Sequence, residues 1–542
     1  MNVPHKKVLS ALLAIALVFS LCSCGKQPIA DEPKPPVSVE PTSEPSATAE
    51  PSGSSEPTND PFLVEDDIVD STNEIVIDLH AFIETQNALH KAVVETEYPE
   101  EWYQTYGPDF HDTLDLVSKE EAETLLTTKR RDGSATCTKE DALKDVDLLF
   151  RLYKSLYGPY EYFGGDAAFG AAQNAVIEEI NAFTGTLTIN DLATILIENL
   201  SFIKDRHTSI NNRYLTDYHK LEVKDHYVKD LFFYEDDIGY YTKKYDRKWY
   251  LTQVGSDQNV SEYLKLTIDE KGQLCYMLGL SVTEADTRLK NRNIVLVRGT
   301  QEVSQSIKWT KFRERKWEAD QELVTVSGNN IPFLEIDQTS EEYDAQNERI
   351  RQMGPDLLSQ DVFILDANTG SGWQSLFASI RHSKSAIYLY KLSNVADYIG
   401  LWNMPWDAGN TFGEYHNRVY LGRWGENDTL VFAVQDVLCY SAQESTIADI
   451  RAIENVITVG GSTGGTAGPG GSTNSHLHLP NTGLHVQLGA SLSITAGYTE
   501  EGYCIEPDIW VNPTDAVDAV YRLCEFYGIE NTADTSVLDK YK

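Results

Sequence analysis

Positive charge is scarce. Against 83 acidic residues the chain carries 45 Lys and Arg, a formal net charge of −38 at pH 7. A surface this negative repels phosphate backbones and argues against a nucleic-acid partner. Cysteine is scarce too: seven in 542 residues do not make a disulfide-dense scaffold. No internal repeat is visible. What is present, 41% hydrophobic and 10% aromatic residues, suffices for globular cores. The length allows roughly three or four folded units.

His5, Lys6 and Lys7 precede an almost unbroken apolar stretch, Val8 to Leu21. That is the length of a secretory signal core and too short to span a bilayer comfortably. It ends in Leu21-Cys22-Ser23-Cys24, which resembles the bacterial lipobox: a Leu three positions before a Cys, and a small residue just before it. Cys24 fits that spacing. Cys22 does not, because Leu21 would occupy the cleavage position. The resemblance implies a signal peptide over 1–23, lipidation of Cys24, and an exported protein anchored on the outer face of a cell membrane. The alternative is a plain secretory signal with two incidental cysteines. Residues 24–62, rich in Pro, Ser, Glu, Thr and Ala, read as a solvated linker. Five cysteines remain beyond it (Cys137, Cys275, Cys439, Cys504, Cys524), so at least one stays unpaired in a monomer.

Residues 63–213 carry mostly helical periodicity, as in the runs from Asp78 and from Glu140. Asn190 is placed to cap a helix whose buried stripe is Leu192, Ile195, Leu196, Leu200 and Ile203, and which runs out at Asp205-Arg206-His207-Thr208. Residues 214–326 change to short β-prone runs between turn residues and predict a small β-rich domain. From 327 to 542 strands alternate with helices: Phe333–Ile336, Asp361–Asp366, Ala386–Tyr390, Leu430–Val434 leading into Val437–Tyr440, then a helix over 442–454 and the strand Val456–Val459. This predicts an α/β layered core.

Ser441 follows an apolar run and opens a helix. A helix N-terminus offers unpaired N–H groups and a positive dipole end, which an acyl-transfer oxyanion needs beside a Ser hydroxyl. The same Ser441-x-x-Glu444 pattern is a capping box, which needs no chemistry at all.

Four segments widen the reading. Ser441-Ala442-Gln443-Glu444, followed by Val456-Ile457-Thr458-Val459-Gly460 and the turn Gly461-Ser462-Thr463-Gly464-Gly465, resembles the nucleophile segment of the C-terminal processing (tail-specific) serine peptidases. Glu501-Gly502-Tyr503-Cys504-Ile505-Glu506-Pro507-Asp508-Ile509 is similar to a later segment of that family. Ile364-Leu365-Asp366-Ala367-Asn368-Thr369-Gly370-Ser371-Gly372 is similar to an earlier one. Asp205-Arg206-His207-Thr208 resembles the Asp-x-His-Thr of its tricorn-core-like branch. The matches occur in the family's order and span roughly 207–508.

The resemblance implies a ClpP/crotonase-like α/β core, no cofactor, and a peptide or unfolded-protein substrate. It implies Ser441 as nucleophile, His207 as general base and Glu501 as the late acidic member. The N–H groups of Ala442 and Gly372 would form the oxyanion hole. One branch of the family uses a Ser–Lys pair, but Ala442 to Gly489 contains no lysine. A neutral imidazole can take the Ser proton, and a further group must orient it. Where the branch has Ser before the His, this chain has Arg206, so either Thr208 or Glu501 is left as orienting group. Asn368 and Trp373 also depart from the family pattern, in place of Arg and a second Gly. These departures favour the alternative of a catalytically silent peptide- or ligand-binding lipoprotein on the same fold; a third reading is an extracellular solute-binding lipoprotein. His207 by itself could equally be a helix-end residue capping carbonyls.

His476, His478 and His485 lie in or beside a Gly/Ser/Thr-rich loop without matching carboxylate spacing, which argues against a metal site. Cys439 reads as a buried filler. Trp402, Trp406, Tyr415 and Trp424 lie in a long connection that serves as a lid or simply packs down. The 214–326 segment lacks a Gly-Leu-Gly-type carboxylate-binding loop, so it is either a diverged PDZ-like domain or an unrelated β domain.

Overall fold

The computed structural model describes residues 60–63, 68–70, 74–96, 116–216, 223–283, 286–315, 324–327, 329–335, 343–368, 373–391, 393–399, 418–465, 468–470, 474–495, 497 and 504–541. The leader, Cys24 and most of the linker lie outside them. Among the described residues no helix is long and apolar enough to cross a membrane.

The fold mixes helices and sheets. Five helices come first: α1 (Leu79–Val94), α2 (Lys119–Thr127), α3 (Lys139–Leu156), α4 (Gly165–Ala182) and α5 (Ile189–Asn199). The cap of α5 is Thr188, not Asn190. Thr188 Oγ1 accepts the Asp191 N–H at 3.1 Å, and the Asp191 carboxylate accepts the Thr188 N–H at 2.9 Å. This reciprocal box satisfies two orphan donors, where a lone Asn satisfies one. Asn190 instead accepts from the Asn211 side chain. Helices α3–α5 pack a common core around Leu149, Tyr153, Phe169, Val176, Leu192 and Leu196.

A two-residue strand, β1 (Ser209–Ile210), leaves this helical unit. The next sheet uses β2 (Lys224–Asp236), β3 (Tyr240–Lys244), β4 (Arg247–Val254), β5 (Leu264–Ile268), β6 (Leu274–Val282), β7 (Asn293–Arg298) and β8 (Gln301–Ser306), in the order β8-β7-β4-β3-β2-β6-β5, with every pair antiparallel.

A second sheet is largely parallel: β9 (Val324–Ser327), β10 (Ile331–Leu334), β11 (Val362–Asp366), β14 (Leu430–Gln435), β15 (Val456–Gly460) and β19 (Ile509–Trp510), in that order. Only β9 pairs antiparallel. Its central strands are mostly apolar and buried along their length, as a parallel sheet covered on both faces requires. One face packs on helix α7 (Ala442–Ile450) with Tyr343–Leu357 (α6). The other packs on Ala516–Tyr527 (α8) and α1.

Two strand expectations change. Ala386–Tyr390 (β12) is a strand, but it pairs antiparallel with Arg418–Tyr420 (β13) and Ser491–Thr495 (β18), apart from the parallel sheet. Val437–Tyr440 is a turn. Asp436 Oδ1 accepts the Leu438 N–H at 2.7 Å and the Asp436 carbonyl accepts the Cys439 N–H at 2.9 Å. An Asx turn of this kind ends β14. Finally, Asn474–His478 (β16) and His485–Gly489 (β17) form a hairpin whose second strand pairs with β1.

Candidate active site

Strand β14 ends at the carboxyl edge of the parallel sheet, where α/β sheets place their ligand crevices. The turn after it carries Ser441 to the head of α7. Ser441 has φ 55° and ψ −112°, a positive-φ conformation that a residue with a side chain adopts only under constraint. The constraint is Glu444, which is fully buried. Its Oε2 accepts the Ser441 N–H at 3.1 Å; its Oε1 accepts the Thr463 hydroxyl at 2.6 Å and the Gly465 N–H at 2.7 Å. The Glu arm of the capping box thus forms, and it also ties α7 to the 461–465 turn. Ala442 is the first residue of α7, so its N–H has no acceptor within the helix.

The Ser441 hydroxyl lies 3.1 Å from His207 Nε2. These residues are 234 positions apart in the chain. His207 is not at a helix end: α5 stops at Asn199, and His207 sits in a turn just before β1. Asp205 builds that turn. Its Oδ1 accepts the backbone N–H of His207 at 2.8 Å and faces His207 Nδ1 at 3.3 Å. The Nδ1 contact is an ion-pair approach without hydrogen-bond alignment. Asp205 is completely buried. Its Oδ2 accepts from Tyr157 Oη and from Thr208 Oγ1, each at 2.9 Å. Burial opposes the charge, but the His207 and Tyr157 donors outweigh it and hold the carboxyl below its ordinary range.

The order Asp205–His207–Ser441 is therefore continuous. Thr208 reaches Asp205 and does not touch the imidazole. Arg206 turns elsewhere, donating to the Gly464 carbonyl at 3.2 Å. Glu501 and Gly372 lie outside the described residues, so neither is placed. Sequence reasoning placed Asp205 in the Asp-x-His-Thr match but gave it no part. The available signal was its spacing: an Asp two residues before a His folds back on it as an Asx turn.

The end of β11 lies beside the Ser441 segment. Gln443 Nε2 donates to the Asn368 carbonyl at 3.4 Å, and Asn368 Oδ1 accepts the Asp436 N–H at 2.7 Å. Asp366 is buried, and burial pushes its carboxyl up to about 7 although Arg315 Nε stands 3.1 Å away. One lysine also approaches α7. Lys384 Nζ donates to the Ser445 carbonyl at 3.1 Å and stands 3.7 Å from Asp449, one turn beyond Ser441. Beside it, a cavity of about 600 Å³ is lined by Leu89, His90, Lys384, Ala448, Arg451 and Cys504. Its cations are already paired, Lys384 with Asp449 and Arg451 with Asp508.

His476, His478 and His485 gather on the β16–β17 hairpin. His476 Nδ1 and His485 Nε2 are 3.3 Å apart, and the rings of His478 and His485 are centred 5.3 Å apart. Among the described residues no group of His, Cys, Asp or Glu is arranged to hold a metal ion.

No family model and no curated relative matches this chain. Among solved structures, it is similar to mature CPAF complexed with lactacystin, at 11% identity and a TM-score of 0.34, over 72% of this chain and 97% of that one. It is similar to the photosystem II D1 C-terminal processing protease at 10% identity and a TM-score of 0.33, over 70% and 96%. It is similar to the tricorn protease at 12% identity and a TM-score of 0.27, over 72% and 37%. Superpositions this loose do not separate one α/β fold from another, so the site is read from its own geometry.

Proposed function

We propose that the protein is a serine peptidase in which Ser441 attacks a peptide carbonyl with His207 as general base. The observation that carries this is the 3.1 Å approach of His207 Nε2 to a Ser hydroxyl held in a strained turn at a helix N-terminus. The Ser441 Oγ–H proton passes to His207 Nε2 as the Oγ–C bond forms. The carbonyl π pair moves onto oxygen, where the Ala442 N–H donates to it. Collapse breaks the C–N bond, and the proton on Nε2 leaves with the amine. Water then repeats the cycle on the acyl-enzyme. Asp205 keeps the proton of the neutral imidazole on Nδ1, so that Nε2 is free to accept, and steadies the imidazolium that forms.

Glu501 and Gly372 keep their proposed parts, as late acidic member and second oxyanion donor. A ClpP/crotonase-like layering of the core belongs to the same reading. So do the substrate class, peptide or unfolded protein, and anchoring on the outer face of a membrane through lipidated Cys24.

The test is hydrolysis of an unstructured peptide pool, followed by mass spectrometry, with wild type and Ser441→Ala. Products from wild type alone support the reading. Equal products from both variants overturn it. No products, together with tight retention of pool peptides, favours the silent binding protein. Anchoring is tested separately: Cys24→Ala should release the protein from the membrane fraction or leave it unprocessed. Diacylglycerol label on that variant would remove Cys24 as the anchor.

A further inference from the structure

The Asp205 carboxylate is gripped from the side opposite His207. Tyr157 closes helix α3, and its ring is completely buried. Its neighbours are aromatic: Tyr153 at 5.5 Å between ring centres, Phe163 at 6.3 Å and Phe169 at 6.4 Å. The next residue is pinned to the hairpin side of the site. The Gly158 N–H donates to the Gly489 carbonyl at 2.9 Å, and a Cβ at 158 would fall 2.4 Å from the Ser491 carbonyl carbon. The Tyr157 hydroxyl is therefore delivered from a fixed backbone, and its partner is Asp205 Oδ2 at 2.9 Å.

Gly470 lies against the carboxylate, nearest its Oδ1. A Cβ there would stand 1.9 Å from Asp205 Oδ1 and 2.2 Å from its carboxyl carbon. The carboxylate occupies the space that any other residue at 470 would need. That backbone is itself held, by a bridge to Leu492 and by the Ser493 N–H donating to the Pro469 carbonyl at 2.9 Å.

We propose that Tyr157 is a positioning residue of the hydrolytic centre: its hydroxyl, acting against the Gly470 backbone, fixes the Asp205 carboxylate so that Oδ1 faces His207 Nδ1. The inference rests on the peptidase reading and deepens it. Fixing matters because the Nδ1 contact has no hydrogen-bond alignment to hold it. Oδ1 is directed by the His207 backbone N–H, and Oδ2 by Tyr157 and Thr208. Without the Tyr157 donor, the carboxylate keeps only donors from its own 205–208 turn and loses its link to the helical unit. It also becomes a stronger acceptor towards the imidazolium, which moves the acid limb of reactivity to higher pH.

The test reads Ser441 directly, by its rate of labelling with a fluorophosphonate, as a function of pH. Tyr157→Phe keeps the packed ring and removes one hydroxyl. It should slow labelling roughly tenfold, the scale of one hydrogen bond to a charged group, and shift the acid limb upward. In an Asp205→Asn background the same substitution should change little, because the hydroxyl acts through the carboxylate. Gly470→Ala should slow labelling at least as much, with the fold retained by circular dichroism. An unchanged rate and limb in Tyr157→Phe would overturn the inference, as would an equal loss with and without Asp205. Both outcomes leave the peptidase reading standing. Wild type that does not label at Ser441 would remove the nucleophile, and this inference with it.

Discussion

Two groups of histidine lie a strand apart in this molecule and differ in what faces them. His207 stands between a buried carboxylate and a Ser hydroxyl. His476, His478 and His485 face one another and Arg130. A single strand pairing links the groups: β1, which starts two residues after His207, pairs with β17, which starts at His485. His207 has a buried carboxylate facing one ring nitrogen and a Ser hydroxyl facing the other. At His485, burial, the neighbouring imidazoles and Arg130 all disfavour charge and push it down to about 4. Counting histidines suggests chemistry at the triple cluster; reading their partners moves it to the single one.

The sharpest way to break this contrast is to remove the reacting pair. Ser441→Ala and His207→Ala should each lower peptide hydrolysis by about 10³-fold or more, and the double variant should be little worse than either, because they act as one unit. A His207→Ala enzyme with wild-type turnover would place the base elsewhere. Next comes Asp205→Asn, which keeps the shape and removes the charge. Turnover should fall about 10²–10⁴-fold, since the amide neither stabilises the imidazolium nor enforces the tautomer. Unchanged turnover would return the orienting part to Glu501.

A smaller effect separates the other histidines. His485 is kept neutral in the fold, so its contribution to stability is complete above about 6.5 and is lost as pH falls through about 4. His485→Gln should therefore lose less stability than wild type between pH 7 and pH 4, by on the order of 1 kcal/mol, measured by urea unfolding at each pH. Parallel curves would show that the cluster does not titrate in that window.

The contrast also shows what one-dimensional reading can reach. Ser441 at a strand-to-helix junction and the apolar central strands were legible, because each depends on neighbours in sequence. The turn at Val437–Tyr440 was read as strand, since its apolar residues hide the Asp436 side-chain bond that ends the ladder. Tyr157 could not be linked to Asp205, because 48 residues separate them and nothing in a buried helix-end Tyr marks its hydroxyl. The role of Glu444 was half legible: the local cap showed, while its bonds to Thr463 and Gly465 required the fold.

The same logic divides two buried carboxylates, and it yields the smallest expected effect. Asp205 has donors on both oxygens from His207, Tyr157 and Thr208, and its carboxyl is held low. Asp225, on β2, joins the antiparallel sheet to the 461–465 turn by accepting the Ser462 N–H at 2.5 Å and its hydroxyl at 2.9 Å. Those donors are neutral, so burial prevails and its carboxyl rises to about 6. A carboxyl raised in the fold favours its protonated form. Its contribution to stability is complete below about 4 and is lost as pH rises through about 6. Asp225→Asn keeps an acceptor for the Ser462 N–H and cannot ionise. It should raise the unfolding midpoint at pH 8 by a few degrees, about 1 kcal/mol, and by about half as much at pH 5. The matching change at Asp205 should have the opposite sign at pH 8, because there the charge is matched by its donors. Destabilisation of Asp225→Asn at both pH values would show that the Ser462 link needs a charged acceptor, and that the two carboxylates differ less than their partners imply.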